Sequence, residues 1–372
     1  MSLQIQEVTS RKEKKAFVEL PFSVYKENPY WVPPIKSDEL KALDPETNPS
    51  MRFSDTKYWL AYRDEQVVGR IMAIINHKYN EKVGEKLGRF FKLEFFDDAE
   101  AFTLLMDTAI SWLKEMGMEK VHGPLGYTNL DTQGLLIEGF EHLPSVASVY
   151  HLPYYHQYIA DYGFEKEVDW VEFRLTLGKE AIEKSNRGVA LIKKRYGFEV
   201  LRFKKTSELL NYADAIFDVL NEAFAVLPFV VPFDKEMMDM YKKKYLKVIN
   251  PRYVYMVKKE DEIIGFMVAV PSLSEAMQKA NGKLFPFGFY HIMKAMKNPD
   301  VLDFFLAGVK PGYETQGAAV LMYTEIQNQM LEDGAKFVET TGEFEMNHKA
   351  ITNWKNFDHI QHKRRRCFIK NI

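Results

Sequence analysis

Residues 309–319 read Val309-Lys310-Pro311-Gly312-Tyr313-Glu314-Thr315-Gln316-Gly317-Ala318-Ala319. A β-rich apolar run over 301–309 precedes them, and apolar residues at helical spacing follow over 318–331. The stretch therefore predicts a strand, a loop and the start of a helix. Such a junction leaves backbone N–H groups unpaired and sets the positive end of a helix dipole beside them, which suits an anion. Pro311 stops further strand pairing. Gly317, Ala318 and Ala319 keep the backbone bare, so that a pyrophosphate can approach closely. The same residues also make an ordinary strand-to-helix turn that holds no ligand.

The elements around this junction repeat across the chain. In the C-terminal half a strand over 198–203 and a helix over 209–226 lead into a hairpin formed by 252–257 and 263–270. The strand 301–309 follows, then the helix 318–331, which Gly334 stops. A strand over 335–341, a helix over 349–355 and a strand over 364–369 complete the order. The N-terminal half predicts the same plan: a strand over 4–8, a helix over 11–25, a hairpin within 58–75, a strand over 90–96, a helix over 99–116, a strand from Val121, a helix over 154–162 and a strand over 168–177. The hairpins match residue by residue. The run Asp64-Glu65-Gln66-Val67-Val68-Gly69-Arg70-Ile71-Met72-Ala73 mirrors Glu260-Asp261-Glu262-Ile263-Ile264-Gly265-Phe266-Met267-Val268-Ala269. The expected organisation is an N-terminal domain over 1–178, a charged linker over 179–197 and a C-terminal domain over 198–372. The expected fold class is α+β, with a mostly antiparallel central sheet flanked by helices in each domain.

Composition narrows the function. Lys and Arg number 50 against 52 Asp and Glu, a balance that argues against nucleic acid as a partner. A single cysteine, Cys367, excludes an intramolecular disulfide and fits a reducing cytosol. The longest apolar runs fall far short of the roughly 18 residues that span a bilayer. No apolar segment follows the charged N-terminus, so no signal peptide is expected. Cytoplasmic placement is the expectation, and peripheral contact at the inner membrane surface is compatible with it.

The element order and the loop resemble the GNAT N-acetyltransferase superfamily, whose phosphate loop reads V-x-P-x-x-[Q/R]-x-x-G-x-[G/A]. Val309, Pro311, Gly317 and Ala319 fit it, while Glu314 stands where the family has Gln or Arg. The later pattern N-x-x-A-I-x-x-[Y/W] is met by Asn347, Ala350, Ile351 and Trp354, the last replacing the usual proton-donating tyrosine. Trp cannot supply that proton. The N-terminal half lacks such a loop, because Phe91-Lys92-Leu93-Glu94-Phe95-Phe96-Asp97-Asp98 runs straight into a helix. Nearly the whole chain also resembles a bacterial family of tandem-GNAT proteins, through residues 28–34, 68–76, 88–98, 123–140 and 282–289. The resemblance implies acetyl-CoA or a longer acyl-CoA as donor, or an acyl-carrier protein in its place. It implies an amine acceptor, small or lipid-like, of the long-chain amino alcohol kind that some relatives N-acylate. A binding module without catalysis is the competing reading, supported by Glu314 and Trp354.

Acyl transfer to an amine needs a base and a stabilised oxyanion. By the resemblance Asp303 aligns with the family's glutamate base, and its apolar strand would raise its pKa. An edge carboxylate is the plain alternative. Glu343 and Glu345, after the next strand, are further candidate bases or a solvated acidic loop. Val309, Pro311, Glu314, Thr315, Gln316, Gly317, Ala318 and Ala319 form the candidate donor site. Asn347 either hydrogen-bonds the donor or caps the following helix. Tyr127, Asn129, Asp131 and Glu138 are expected to shape the acceptor site from a Gly-rich loop, or to order that loop alone. His122, His142, His151 and His156 have no metal-site spacing and read as structural, so no metal is expected. The basic run Lys363-Arg364-Arg365-Arg366 reads either as an anion-binding patch for CoA, a carrier protein or lipid headgroups, or as a solvated strand edge. The Pro-broken apolar segments 224–233 and 284–290 read as core or as a lipid-facing lid.

Overall fold

A computed structural model describes residues 2–176, 179–245, 249–297, 299–352, 354 and 357–372. In chain order the elements are β1 (Leu3–Glu7), α1 (Arg11–Val24), α2 (Lys36–Ala42), β2 (Ser54–Arg63), β3 (Gln66–Asn76), α3 (His77–Val83), β4 (Leu87–Phe95), α4 (Ala99–Glu115), β5 (Lys120–Gly123), β6 (Leu135–Glu138), α5 (Tyr154–Asp161) and β7 (Glu165–Thr176). Then come α6 (Lys179–Tyr196), β8 (Phe198–Arg202), α7 (Thr206–Leu210), α8 (Ala213–Phe224), α9 (Lys235–Tyr245), β9 (Val254–Lys259), β10 (Glu262–Pro271), α10 (Ser274–Ala280) and α11 (Gly288–Lys297). The chain ends with β11 (Val301–Val309), α12 (Ala318–Asp333), β12 (Phe337–Thr340), β13 (Glu343–Phe344), α13 (His348–Thr352) and β14 (Asp358–Asn371).

The chain divides into two units: Met1–Val171 with Ser274–His291 and Lys363–Ile372, and Glu172–Leu273 with Ile292–His362. The contiguous halves expected from the sequence therefore interleave. Residues 179–196, expected as a linker, form helix α6 and belong to the second unit. Leu177 and Gly178 at that boundary, with Lys355 and Asn356 near the end of the expected helix over 349–355, lie outside the described residues. The helix expected over 209–226 is two helices, broken at Asn211 and Tyr212.

In the first unit β1 to β5 pair in sequence order, and the C-terminal residues of β14 pair with β5. Only the β4–β5 pair is parallel among these pairings. Strand β3 is buried on both faces, which explains its unbroken apolar run. Ile71, Ala73 and Ile75 pack with α4 and α5, while Met72 and Ile74 pack with Phe17 and Val18 of α1. In the second unit residues 174–176 of β7 pair with β12, followed by β11, β10, β9 and β8. Here β11–β12 is the parallel pair. A Cβ added at Gly265 would lie 3.4 Å from Met322 of α12, and one at Gly308 would lie 3.4 Å from Ala223 of α8, so these helices cover opposite faces.

Register makes the repeat quantitative. Gly69 pairs with Phe95, and Gly265 pairs with Val309. Both hairpins turn on an acidic residue at positive φ, Asp64 at 55° and Glu260 at 54°. In each unit a bulge then shifts the next strand. Beyond it Ile74 pairs with Arg89 and Val270 with Asp303, so Arg89 and Asp303 hold equivalent positions.

The run Lys363–Arg366 is neither a phosphate patch nor a solvated edge. Lys363 and Arg365 are buried, with Lys363 Nζ donating to the Leu143 carbonyl at 3.3 Å and Arg365 to that of Gln133. Arg364 and Arg366 both hold the buried Asp169, at 3.0 and 2.8 Å. Burial alone would raise the Asp169 carboxyl, but hydrogen bonds from Arg366 and Arg364 hold it below its ordinary value. Asp169→Asn leaves two arginines without their shared partner. It is expected to destabilise by about 3–5 kcal/mol in urea titration, with the difference from the parent shrinking as pH falls and the parent carboxyl protonates.

Gly317 has φ of 87°, and a Cβ there would lie 2.7 Å from Cδ1 of Ile192 on α6. A left-handed conformation costs a non-glycine residue roughly 1–2 kcal/mol, and here a clash adds to it. Gly317→Ala is expected to lower the urea midpoint accordingly, and Ile192→Ala in the same chain to recover part of that loss.

Candidate active site

The site grows from one departure in the second unit's sheet. Strand β11 pairs with β12 from Val301 to Phe304, with Phe337 to Thr340 opposite. One more bond follows, from Thr341 N–H to the Phe304 carbonyl at 3.3 Å. From Phe305 to Val309, β11 has β10 on one side and, among the described residues, no strand on the other. Its free edge leads into the loop over 310–317 and the start of α12.

Helix α12 begins at Gly317 with no side-chain cap. Its first N–H groups and its dipole therefore face the loop unscreened. The equivalent helix α4 differs. It follows β4 after residues 96–98, and Asp98 accepts from Ala101 N–H at 3.1 Å while pairing with Arg63 at 2.8 Å. An aspartate thus occupies the place an anion would take in the first unit.

The loop's own groups are engaged with one another. Glu314 Oε2 accepts from Gly312 N–H at 2.8 Å, and Gln316 Nε2 donates to the Gly312 carbonyl at 2.9 Å. Lys310 Nζ bridges Glu222 at 2.9 Å and Glu262 at 2.8 Å. Hydrogen bonds that it donates to Glu222 and Glu262 hold its pKa above the ordinary value. Pro311, Glu314 and Thr315 are exposed, Val309 and Ala319 are half-buried, and Ala318 is buried.

Glu343 lies just beyond β12, where the strands part. Its Oε1 accepts from Trp354 Nε1 at 2.9 Å, and its Oε2 is shut off from solvent with no hydrogen-bond partner among the described residues. The Trp354 ring lies 5.0 Å from Tyr323 of α12 and 6.0 Å from Phe304 of β11. This aromatic setting pushes the Glu343 carboxyl up to about 8 by desolvation, with the Trp354 hydrogen bond opposing. Such a value is close to the working range of a general base. Burial, and the charge of Glu343, raise the Tyr323 hydroxyl far above its ordinary value.

Asp303 occupies the other face of β11. Its register partner is Glu339, whose own register partner is Arg174. Glu339 pairs with Arg174 Nε at 2.5 Å and with His362 Nε2 at 2.7 Å. Asp303 thus belongs to a buried charged row, away from Phe304, Tyr323 and Trp354. Glu345 is half-buried between β13 and α13. Asn347 accepts from Ala350 N–H at 3.2 Å and so caps α13.

Three of the residues expected to bind an acceptor are engaged with protein groups. Tyr127 OH meets Thr56 at 3.1 Å, Asp131 accepts from Thr128 N–H at 2.9 Å, and Glu138 pairs with Arg364 at 3.3 Å. Both side-chain polar atoms of Asn129 are enclosed without a hydrogen-bond partner among the described residues. A cavity of about 160 Å³ in the first unit is lined by none of these four, but by Thr132 and Gly134 of the same loop together with Trp31, Arg70, Lys92 and Glu94. Glu94 accepts from Tyr25 at 2.5 Å and from Tyr155 at 2.9 Å. Burial raises its carboxyl despite Arg70 and both hydroxyls. Strand β4 is too apolar to announce this cavity, and Trp31 comes from a segment far away in sequence.

His122, Glu167 and Cys367 meet in the first unit, their ligand atoms within 4.8 Å of one another. His122 aligns with Arg89, and a buried guanidinium opposes a metal ion there. His122 is held neutral by burial, with Glu167 opposing. Sequence spacing could not join these three residues. His151 is likewise buried and accepts from Leu136 N–H at 3.2 Å.

No protein-family model matches the chain. It is 27% identical over 296 residues to Protein YghO of Escherichia coli (strain K12), covering 77% of this chain and 73% of that protein. It is 27% identical over 319 residues to the bacterial ceramide synthase of Caulobacter vibrioides, covering 84% and 82%. Among solved structures it is similar to a tandem GNAT protein from the clavulanic acid biosynthesis pathway, with TM-score 0.57, 13% identity and 100% and 98% of the two chains covered. A probable N-acyltransferase from Enterococcus faecalis V583 aligns with TM-score 0.55 at 10% identity, over 100% of this chain and 73% of that one. With its twice-repeated hairpin register, its parted parallel strands and these neighbours, the chain has the tandem GNAT fold.

Proposed function

We propose that this chain is an N-acyltransferase that moves an acyl group from a CoA thioester to an amine. The observation that carries the reading is the free edge of β11 leading to the uncapped start of α12, with the Glu343 carboxyl beside it. The donor's pyrophosphate would dock on the α12 N–H groups and its thioester would lie along residues 305–309. A main-chain N–H of that edge would take the carbonyl oxygen as it becomes an oxyanion. The amine nitrogen attacks the thioester carbon, the C–S bond breaks, the amide forms and CoA leaves as its thiol. Glu343 takes the proton released by the amine and later yields it to solvent, and the departing CoA thiolate takes its proton from solvent. Asp303, the base implied by family alignment, is the less favoured candidate because it faces away from the aromatic cluster. The likeness to the ceramide synthase supports a long-chain amino alcohol as the acceptor.

The assay is CoA thiol release from acetyl-, myristoyl- and palmitoyl-CoA with a long-chain amino alcohol. Activity is expected to rise with pH through about 8, as the raised Glu343 carboxyl ionises. Glu343→Gln is expected to remove that limb and lower kcat by roughly 10²–10⁴-fold. Full activity in Glu343→Gln together with loss in Asp303→Asn would transfer the base to Asp303. No turnover with any donor would end the acyl-transfer reading.

A binding module without catalysis is favoured by one observation: the Glu314 carboxylate already sits on Gly312 N–H. An anionic donor must displace it or bear its charge. Glu314→Gln is therefore expected to tighten CoA binding severalfold in calorimetry. Turnover in the parent chain separates the two readings.

A further inference from the structure

The connection from β10 to β11, residues 272–300, is nearly three times as long as its counterpart from β3 to β4, residues 77–86. Its middle carries the most prominent apolar protrusion of the first unit. Phe285 and Phe287 are 75% and 73% exposed, and Phe289 and Tyr290 are 51% and 63% exposed. Phe285 stacks on Phe289, at 6.2 Å between ring centroids. Meanwhile Gly282 and Gly288 at the base are buried, and the Gly282 carbonyl accepts from Lys36 N–H at 3.0 Å. The protrusion is thus anchored at its base and bare at its tip. Met293 continues the apolar face along α11.

Charge accompanies the rings. Lys283, Lys294 and Lys297 are exposed, and residues 276–298 contain no Asp or Glu. Among the described residues, no helix is long and apolar enough to cross a membrane. We infer that this segment is an interfacial anchor that seats the protein on an anionic lipid surface. The phenylalanine rings enter the boundary between headgroups and acyl chains, and the lysines reach the phosphates. A second copy of the chain fits less well, since a two-fold contact through this patch would set its lysines against each other. The inference is independent of the proposed chemistry, because none of these residues belongs to the candidate active site.

Co-sedimentation of the full chain with vesicles tests it. Phosphatidylcholine vesicles are compared with vesicles of equal parts phosphatidylcholine and phosphatidylglycerol. Binding is expected to the second only, and to weaken as salt rises. Phe285→Ser with Phe287→Ser should weaken partitioning by about tenfold or more. Lys294→Gln with Lys297→Gln should weaken it by about fivefold per lysine. Both variants alter exposed side chains, so unchanged thermal midpoints confirm that the fold is intact. No binding to anionic vesicles, or binding unaltered in the phenylalanine variant, overturns the inference. Self-association lost in that variant, without vesicle binding, assigns the patch to a second copy and overturns it as well.

Discussion

The pairing of β11 with β12 stops at Phe304, and the rest of the second unit's site depends on that stop. A strand that loses its neighbour exposes backbone donors and acceptors along one edge, and a buried edge must find other partners. Here the edge ends at a helix whose first turn has no side-chain cap. The space opened where the strands part is closed by Phe304, Tyr323 and Trp354. Those rings desolvate Glu343, and desolvation sets its proton affinity. Backbone pairing, helix start and carboxyl chemistry therefore follow one after another from a single register.

The two units set different polar groups on one fold. Their hairpins agree in register and a bulge shifts the next strand in each, but the polar residues at matching positions differ. Arg89 stands where the second unit has Asp303, and His122 where it has Glu339. Asp98 caps α4, whereas Gly317 leaves α12 open. In the first unit the internal partners of these groups are protein groups, such as the Gly126 carbonyl that accepts from Arg89 at 2.7 Å. The sheet is kept by apolar pairing that both halves share, so polar positions were free to diverge.

Glu314 changes its role when the loop folds. In the sequence it is a carboxylate in a loop that otherwise suits phosphate. In the folded loop it is an acceptor that satisfies a backbone N–H. Trp354 likewise loses a proton donor relative to tyrosine but provides a hydrogen bond to Glu343 and part of its apolar wall.

Much of the fold was legible in the sequence because it rests on local signals. Strand β11 was expected over the residues it occupies, the acidic turns located both hairpins, and Gly317 and Gly334 marked the ends of α12. The loop over 309–319 and Glu343 were legible as candidates for the same reason. What the sequence left open was decided by contacts distant along the chain. Asp303 and Glu343 were both acids near a strand, and only the face of β11 separates one from the other. The basic run 363–366 looked like a surface patch until Asp169 and the carbonyls of Leu143 and Gln133 closed around it. Helix α6 read as a linker because its charges dominate its composition, yet Ile192 packs against Gly317. Local backbone preference determines where elements begin and end, whereas burial and charge pairing depend on which elements meet, and only the tertiary structure brings them together.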